Sequence, residues 1–80
     1  SYNNTALIYN NIGKYSKALS YFEKALEIQQ KTLPVNYRLL AITYRNIGKV
    51  YDDMDEYMEA LSCFEKALEI QQKTLPVNYR

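Results

Sequence analysis

The chain has 80 residues, and its 10 Lys and Arg side chains against 9 Asp and Glu give a net charge of +1, which provides no general attraction to nucleic acid or to an anionic membrane. Histidine is absent, so the most frequent general base at neutral pH and the commonest metal ligand are missing, and we expect no enzyme, no metal and no cofactor. No apolar run approaches the roughly 20 residues of a membrane-spanning helix and no signal peptide opens the chain, so a soluble protein is expected.

The single cysteine, Cys63, cannot form an internal disulfide. The lack of other cysteines fits a reducing compartment, and the predicted location is therefore the cytoplasm. Cys63 occupies the place that Tyr21 holds in the other copy of an internal repeat, described next. This equivalence indicates a partly buried packing residue rather than a reactive thiol.

The sequence FEKALEIQQKTLPVNYR occurs twice without a change, at 22–38 and at 64–80, an offset of 42 residues. The same offset aligns 1–38 with 43–80 without a gap and leaves 39–42 as the piece that the first copy lacks. A fixed period long enough for two helices is typical of a stacked solenoid. We therefore expect two repeats, the first at 1–38 with its first helix shortened at the start, and the second at 39–80 with a trailing linker at 75–80.

Apolar residues recur at spacings of three and four, which predicts one packed helical face in each half of a repeat. The predicted helices cover 2–12, 15–32, 37–54 and 57–74. Gly13 can adopt the left-handed conformation that ends the first helix, and Asp55 holds the matching place in the second repeat as a weaker stop signal. Pro34 cannot continue the second helix, and Asn36 can cap the third.

Seven residues of the second repeat share one spacing: Tyr44, Ile47, Gly48, Tyr51, Ala60, Phe64 and Ala67. This spacing resembles the tetratricopeptide pattern W-x-x-L-G-x-x-Y followed by A-x-x-x-F-x-x-A, with Tyr44 in place of the tryptophan and Ile47 in place of the leucine. The first repeat matches at Tyr2, Tyr9, Ala18, Phe22 and Ala25, but has Thr5 and Ala6 where the family has leucine and glycine. The period is 42 rather than 34, and the proline comes four residues late.

With this longer period, and with R-N-I-G before the turn and F-E-K-A-L-E-I-Q-Q-K-T-L-P after it, the whole chain resembles the tetratricopeptide repeats of kinesin light chains and nephrocystin-like proteins. The resemblance implies an all-α fold in which four helices form antiparallel pairs, stacked as a right-handed superhelical solenoid. It also implies that Gly48 is a packing glycine inside a helix, where paired helices approach closely.

In that family the first helix of every repeat lines a concave groove that holds extended or helical peptides. The resemblance therefore implies a non-catalytic interaction scaffold with a protein or peptide partner. The candidate contacts are the residues left on the first helices once the packing positions are removed: Asn3, Asn4, Leu7, Asn10, Asn11, Ile42, Arg45, Asn46, Lys49, Asp52 and Asp53. Asn4 and Asn46 occupy one equivalent place, and their amides can pair with a peptide backbone whatever its side chains.

Simpler interpretations of these residues stay open. Asparagines on an exposed helix face can serve solubility alone, and Arg45 and Lys49 can either hold an acidic ligand or simply be solvated beside Asp52 and Asp53. The acidic residues around the second turn lack the glycine and the terminal glutamate of a calcium loop, and are interpreted as a helix start.

Two repeats are fewer than the three or more that such arrays normally need, because each terminal unit leaves one apolar face open. We expect the chain to be an excerpt or an engineered piece of a longer array. Its exposed ends are expected to associate, as end-to-end stacks or as a closed dimer. Exchange of the last helix between chains is a further possibility, because the turn at 53–56 contains neither Gly nor Pro. The alternative function is a structural spacer, or an engineered self-assembling fragment, with no ligand of its own.

Overall fold

A computed structural model describes residues 1–74. It has four α-helices: α1 at Tyr2–Asn11, α2 at Tyr15–Lys31, α3 at Tyr37–Asp53 and α4 at Tyr57–Thr74. The described residues contain no β-strand. The predicted all-α class and the four helices are confirmed, and every helix end lies within one residue of its prediction. The predicted trailing linker at 75–80 lies outside the described residues.

The two turns inside the repeats have the same backbone geometry. Gly13 has φ +81° and Asp55 has φ +64°, which is the left-handed conformation that ends a helix. In both turns the residue that follows donates its backbone N–H back into the helix at 2.8 Å, Lys14 to the Tyr9 carbonyl and Glu56 to the Tyr51 carbonyl. The predicted stops are therefore confirmed, and α4 folds back on α3 of its own chain.

The first helix of each repeat, α1 or α3, starts with a side-chain cap. The Asn36 Oδ1 atom accepts a hydrogen bond from the backbone N–H of Leu39 at 3.0 Å, and the Ser1 hydroxyl accepts one from the backbone N–H of Asn4 at 3.4 Å. Each cap satisfies one of the N–H groups that the first turn of a helix leaves unpaired. The predicted cap at Asn36 is confirmed.

The helices form two antiparallel hairpins that stack on each other. Helix α1 packs on α2, α3 packs on α4, and the hairpins meet where α3 packs against both α1 and α2. The core lies at this junction and takes residues from both repeats: Ala6, Ala18, Phe22, Ile47 and Val50. Because each hairpin is covered by the other, the described part of the chain is a helical repeat solenoid of two repeats.

Gly48 allows close contact between α3 and α4. A Cβ atom built at this position would lie 3.0 Å from Cε1 of Phe64, closer than carbon atoms ordinarily approach. Ala6 holds the equivalent position in the first repeat and is fully buried. Gly48 is thus the packing glycine that the sequence predicts.

The two repeats differ in burial although their second helices share most of their sequence. Phe22 is 0% exposed, whereas its counterpart Phe64 is 37% exposed. On the first helices the order is reversed, since Ile8 is 61% exposed and its counterpart Val50 is 0% exposed. The expectation that terminal units leave apolar faces open is confirmed, because the chain buries one face of each repeat and exposes the other.

Candidate peptide-binding face

Helices α1 and α3 lie side by side and run in the same direction. The Asn3 Nδ2 group donates to Thr43 Oγ1 at 3.3 Å near the start of α1, and the Asn10 Nδ2 group donates to Asp53 Oδ2 at 3.2 Å near its end. Since both contacts follow the same order along the two helices, the helices are parallel. The first helices of the two repeats therefore form one continuous surface.

Thr43 links three helices at this junction and is fully buried. Its hydroxyl oxygen accepts from Asn3, and the hydroxyl lies 2.9 Å from Gln29 Oε1 and 3.1 Å from the Leu39 carbonyl oxygen, both of which are acceptors. Thr43 and Gln29 were not among the predicted site residues. The one signal for Thr43 was its spacing from Ile47 and Val50, which places it on their side of α3.

Replacing Thr43 by valine should lower the free energy of unfolding by about 1–2 kcal/mol. The shape of the side chain is kept, but the Asn3 amide and the Gln29 carbonyl lose their buried partner. Urea denaturation followed by circular dichroism measures the effect. Thr5→Val is the matched control, because the Thr5 hydroxyl bonds only the exposed Ser1 carbonyl oxygen, and its loss should stay within about 0.5 kcal/mol. Equal losses in the two variants would contradict the assigned network.

Three of the predicted site residues are not free on the groove surface. Asn10 is 5% exposed, Asn3 is half-buried against α3, and Leu7 packs beside the core. Their Asn side chains also keep Oδ1 atoms buried without a hydrogen-bond partner among the described residues. The expected open placement of these three was wrong, because the second repeat covers the flank of α1 that carries them.

Arg45 and Asp52 are exposed, but they hold the positions of Asn3 and Asn10 one repeat later. They lie on the flank of α3 that faces away from the first repeat. The predicted residues that point outward from both helices form what we call the groove face: Asn4, Asn11, Ile42, Asn46, Lys49 and Asp53. On α3 these residues recur at spacings of four, three and four, which is a single stripe along a helix.

The groove face combines amides with opposite charges. The side chains of Asn4 and Asn46 make no hydrogen bond within the described part of the chain, so their amide donors and acceptors remain available. Lys49 and Asp53 add one charge of each sign, and Ile42, which is 37% exposed, adds an apolar contact. Such a surface can pair with a peptide backbone and select among its side chains.

Among the described residues, no three His, Cys, Asp or Glu side chains are grouped so that they could hold a metal ion. Burial raises the pKa of the Cys63 thiol, and nearby Glu59 raises it further, which lowers the thiolate fraction and with it the reactivity. None of the helices in residues 1–74 is long and apolar enough to cross a membrane.

Comparison with known families agrees with this arrangement. A family model described as Tetratricopeptide repeat matches residues 1–73, which is nearly the whole chain and includes both hairpins. Such repeats are generally non-catalytic interaction modules. Searches of the curated proteins and of the solved structures found no match.

Proposed function

Because the chain belongs to the tetratricopeptide repeat family, whose members bind proteins, we propose that it is a non-catalytic scaffold that holds a peptide segment of a partner along α1 and α3. One observation carries the proposal: Asn4 and Asn46 hold equivalent positions on two parallel, adjacent helices, with their amides unbonded. An amide can donate to a backbone carbonyl and accept from a backbone N–H. Two of them in successive repeats can hold an extended chain independently of its sequence.

Selectivity would come from the groove-face residues that differ between the repeats. Ile42 favours an apolar side chain of the peptide, and Lys49 favours an acidic one. The chain's resemblance to kinesin light chain and nephrocystin-like repeats supports a groove of this kind. The proposed location remains the cytoplasm, where the lone Cys63 would stay reduced.

Selection from a phage-displayed library of random linear peptides tests the proposal. Enriched peptides should bind the wild-type chain, and Asn46→Ala should weaken their binding about ten-fold, the effect of losing about 1.4 kcal/mol of amide hydrogen bonding. Met58→Ala is the control, because Met58 is strongly exposed on α4 and lies away from the groove face. Absence of any enriched peptide, or peptides that bind Asn46→Ala as tightly as wild type, would refute the groove.

A second candidate function is favoured by the exposed apolar ends. Chains that associate through these ends would act as structural spacers or self-assembling units without a ligand, whether natural or engineered. Both end faces carry large exposed side chains whose counterparts in the other repeat are buried or half-buried. Contiguous apolar surface of this kind favours association. We propose that self-association accompanies peptide binding. The spacer alternative predicts association together with an empty peptide selection.

A further inference from the structure

We infer that copies of this chain stack head to tail in the register that joins its own two repeats. In this arrangement α1 of a second copy takes the place on α4 that α3 takes on α2. The inference rests on the self-association proposed above and specifies its geometry. The internal junction between the repeats supplies the template for every contact.

The apolar surfaces correspond across the offset of 42 residues. We call Leu61, Phe64 and Leu68 of α4 the tail face. Their counterparts on α2 are buried or half-buried at the junction of the repeats: Leu19, Phe22 and Leu26. From 64 to 73 the sequence of α4 is identical to that of α2, so the tail face repeats a surface that already receives a helix within this chain.

The opposite end of the chain offers the complementary surface. We call Ile8 and Ile12 of α1 the head face, and both are 61% exposed. Their counterparts on α3 are Val50, which is fully buried, and Met54, which is half-buried beside the core. Removal of exposed Ile side chains from water is favourable, so contact between the head face and the tail face of another copy stabilises the stack.

The polar pairs are preserved as well. Asn10 donates a hydrogen bond to Asp53 at the internal junction. The equivalent residues at the contact between copies are Asp52 of the first copy and Asn11 of the second, again a carboxylate acceptor and an amide donor. Both side chains are exposed in this chain. The amide donor thus lies on the second copy rather than on the first repeat, but a donor still faces an acceptor.

The place of Thr43 is also open to a second copy. The counterpart of Asn3 in the second repeat is Arg45, which is also a donor. The counterpart of Thr43 is Ser1 of the second copy, which also carries a hydroxyl. A cleft of about 860 Å³ is lined by 35–38 at the start of α3, and by Ile42, Arg45 and Gln71. The internal junction buries the hydroxyl of Thr43, and the cleft is the proposed place for the hydroxyl of Ser1 of the second copy.

Head and tail are different surfaces, so their contact is heterologous. Repetition of the register that joins the two repeats continues the solenoid, so copies add at its ends. Lys49 stands where Leu7 packs in the internal junction, so this apolar contact is missing between copies. The contact between copies is consequently smaller than the internal one. Assembly should depend on protein concentration and reach a range of lengths.

Complementary variants of the 80-residue chain test the register. Ile8→Glu removes the head face and keeps the tail face, whereas Leu68→Glu does the reverse. Each variant alone should sediment as a monomer of 9.4 kDa at concentrations where the wild type forms larger species. An equimolar mixture should form a dimer and nothing longer, because one intact head meets one intact tail. Sedimentation equilibrium measures all three samples.

The matched control is Met58→Glu, which should leave the wild-type size distribution unchanged. Met58 is exposed, and its counterpart Ser16 stays exposed beside the stacked second repeat, so the register leaves both outside the contact. Circular dichroism checks that each variant folds, and Ile12→Glu and Leu61→Glu replace any that does not.

The possible results test self-association and the head-to-tail register separately. A wild-type chain that remains monomeric at millimolar concentration would overturn both self-association and stacking. If the wild type assembles but either single variant still forms dimers, self-association stands and the head-to-tail register is wrong. A mixture that stays monomeric also overturns the register. Peptide binding to the groove face is unaffected by any of these results.

Discussion

Replacing Phe22 by alanine is expected to lower the free energy of unfolding by about 3–5 kcal/mol, whereas Phe64→Ala is expected to lower it by roughly 1–2 kcal/mol. Phe22 is fully buried at the junction of the two repeats, and Phe64 is 37% exposed and packs on one hairpin only. A domain of this size has a total stability of about 4–12 kcal/mol. The first substitution therefore removes a large part of it.

The two phenylalanines make a matched pair, since the residues that follow them are identical for the rest of the helix. Differences in helix propensity consequently cancel. Urea denaturation at low protein concentration, where copies are dissociated, measures both losses. At high concentration the loss for Phe64→Ala should grow as stacking buries the ring. Equal losses for the two variants at low concentration would contradict the assignment of the core to the junction.

The second large effect is expected at Gly48. Gly48→Leu should lower the free energy of unfolding by about 1–3 kcal/mol or more, because a Cβ atom already meets the Phe64 ring at 3.0 Å and a longer side chain would push α4 away from α3. Gly48→Ala should change it by less than about 1 kcal/mol. The gain in helix propensity, about 1 kcal/mol, is offset by a small shift of the ring.

The first repeat supplies the reason to expect that alanine is tolerated. Ala6 holds the position of Gly48 there and shares a fully packed cluster with Phe22. Thermal unfolding of both Gly48 variants measures the difference. If Gly48→Leu were as stable as wild type, the helix contact would not be as close as the structure has it. If Gly48→Ala were as damaging as leucine, Phe64 would be held more rigidly than its exposure indicates.

The helices and turns were predictable because the signals that set them are local. The spacing of apolar residues gives the length of each helix, Pro34 stops α2, and Asn36 starts α3 with a side-chain hydrogen bond. Gly13 and Asp55 terminate helices through their own backbone conformation. None of these features depends on what packs against the helix.

Burial was not predictable in the same way. The segments 22–31 and 64–73 are identical in sequence, yet Phe22 is buried and Phe64 is partly exposed. The difference arises from a neighbour that only one of them has, which no local pattern contains. For the same reason Asn3 and Asn10 were predicted to be candidate groove contacts, since the packing pattern of α1 cannot show which of its flanks α3 covers. The spacing of Thr43 from Ile47 and Val50 indicates its side of α3, but not its contacts with Asn3 and Gln29.

The most direct test of the account is a map of where a selected peptide binds. A nuclear magnetic resonance titration of the isotope-labelled chain follows the backbone and side-chain amides together. We expect the largest shifts at Asn4 and Asn46, with neighbouring signals of α1 and α3 moving and those of Leu61 and Leu68 unchanged. Shifts confined to the tail face, or spread over α2 and α4, would contradict a peptide groove formed by the first helices.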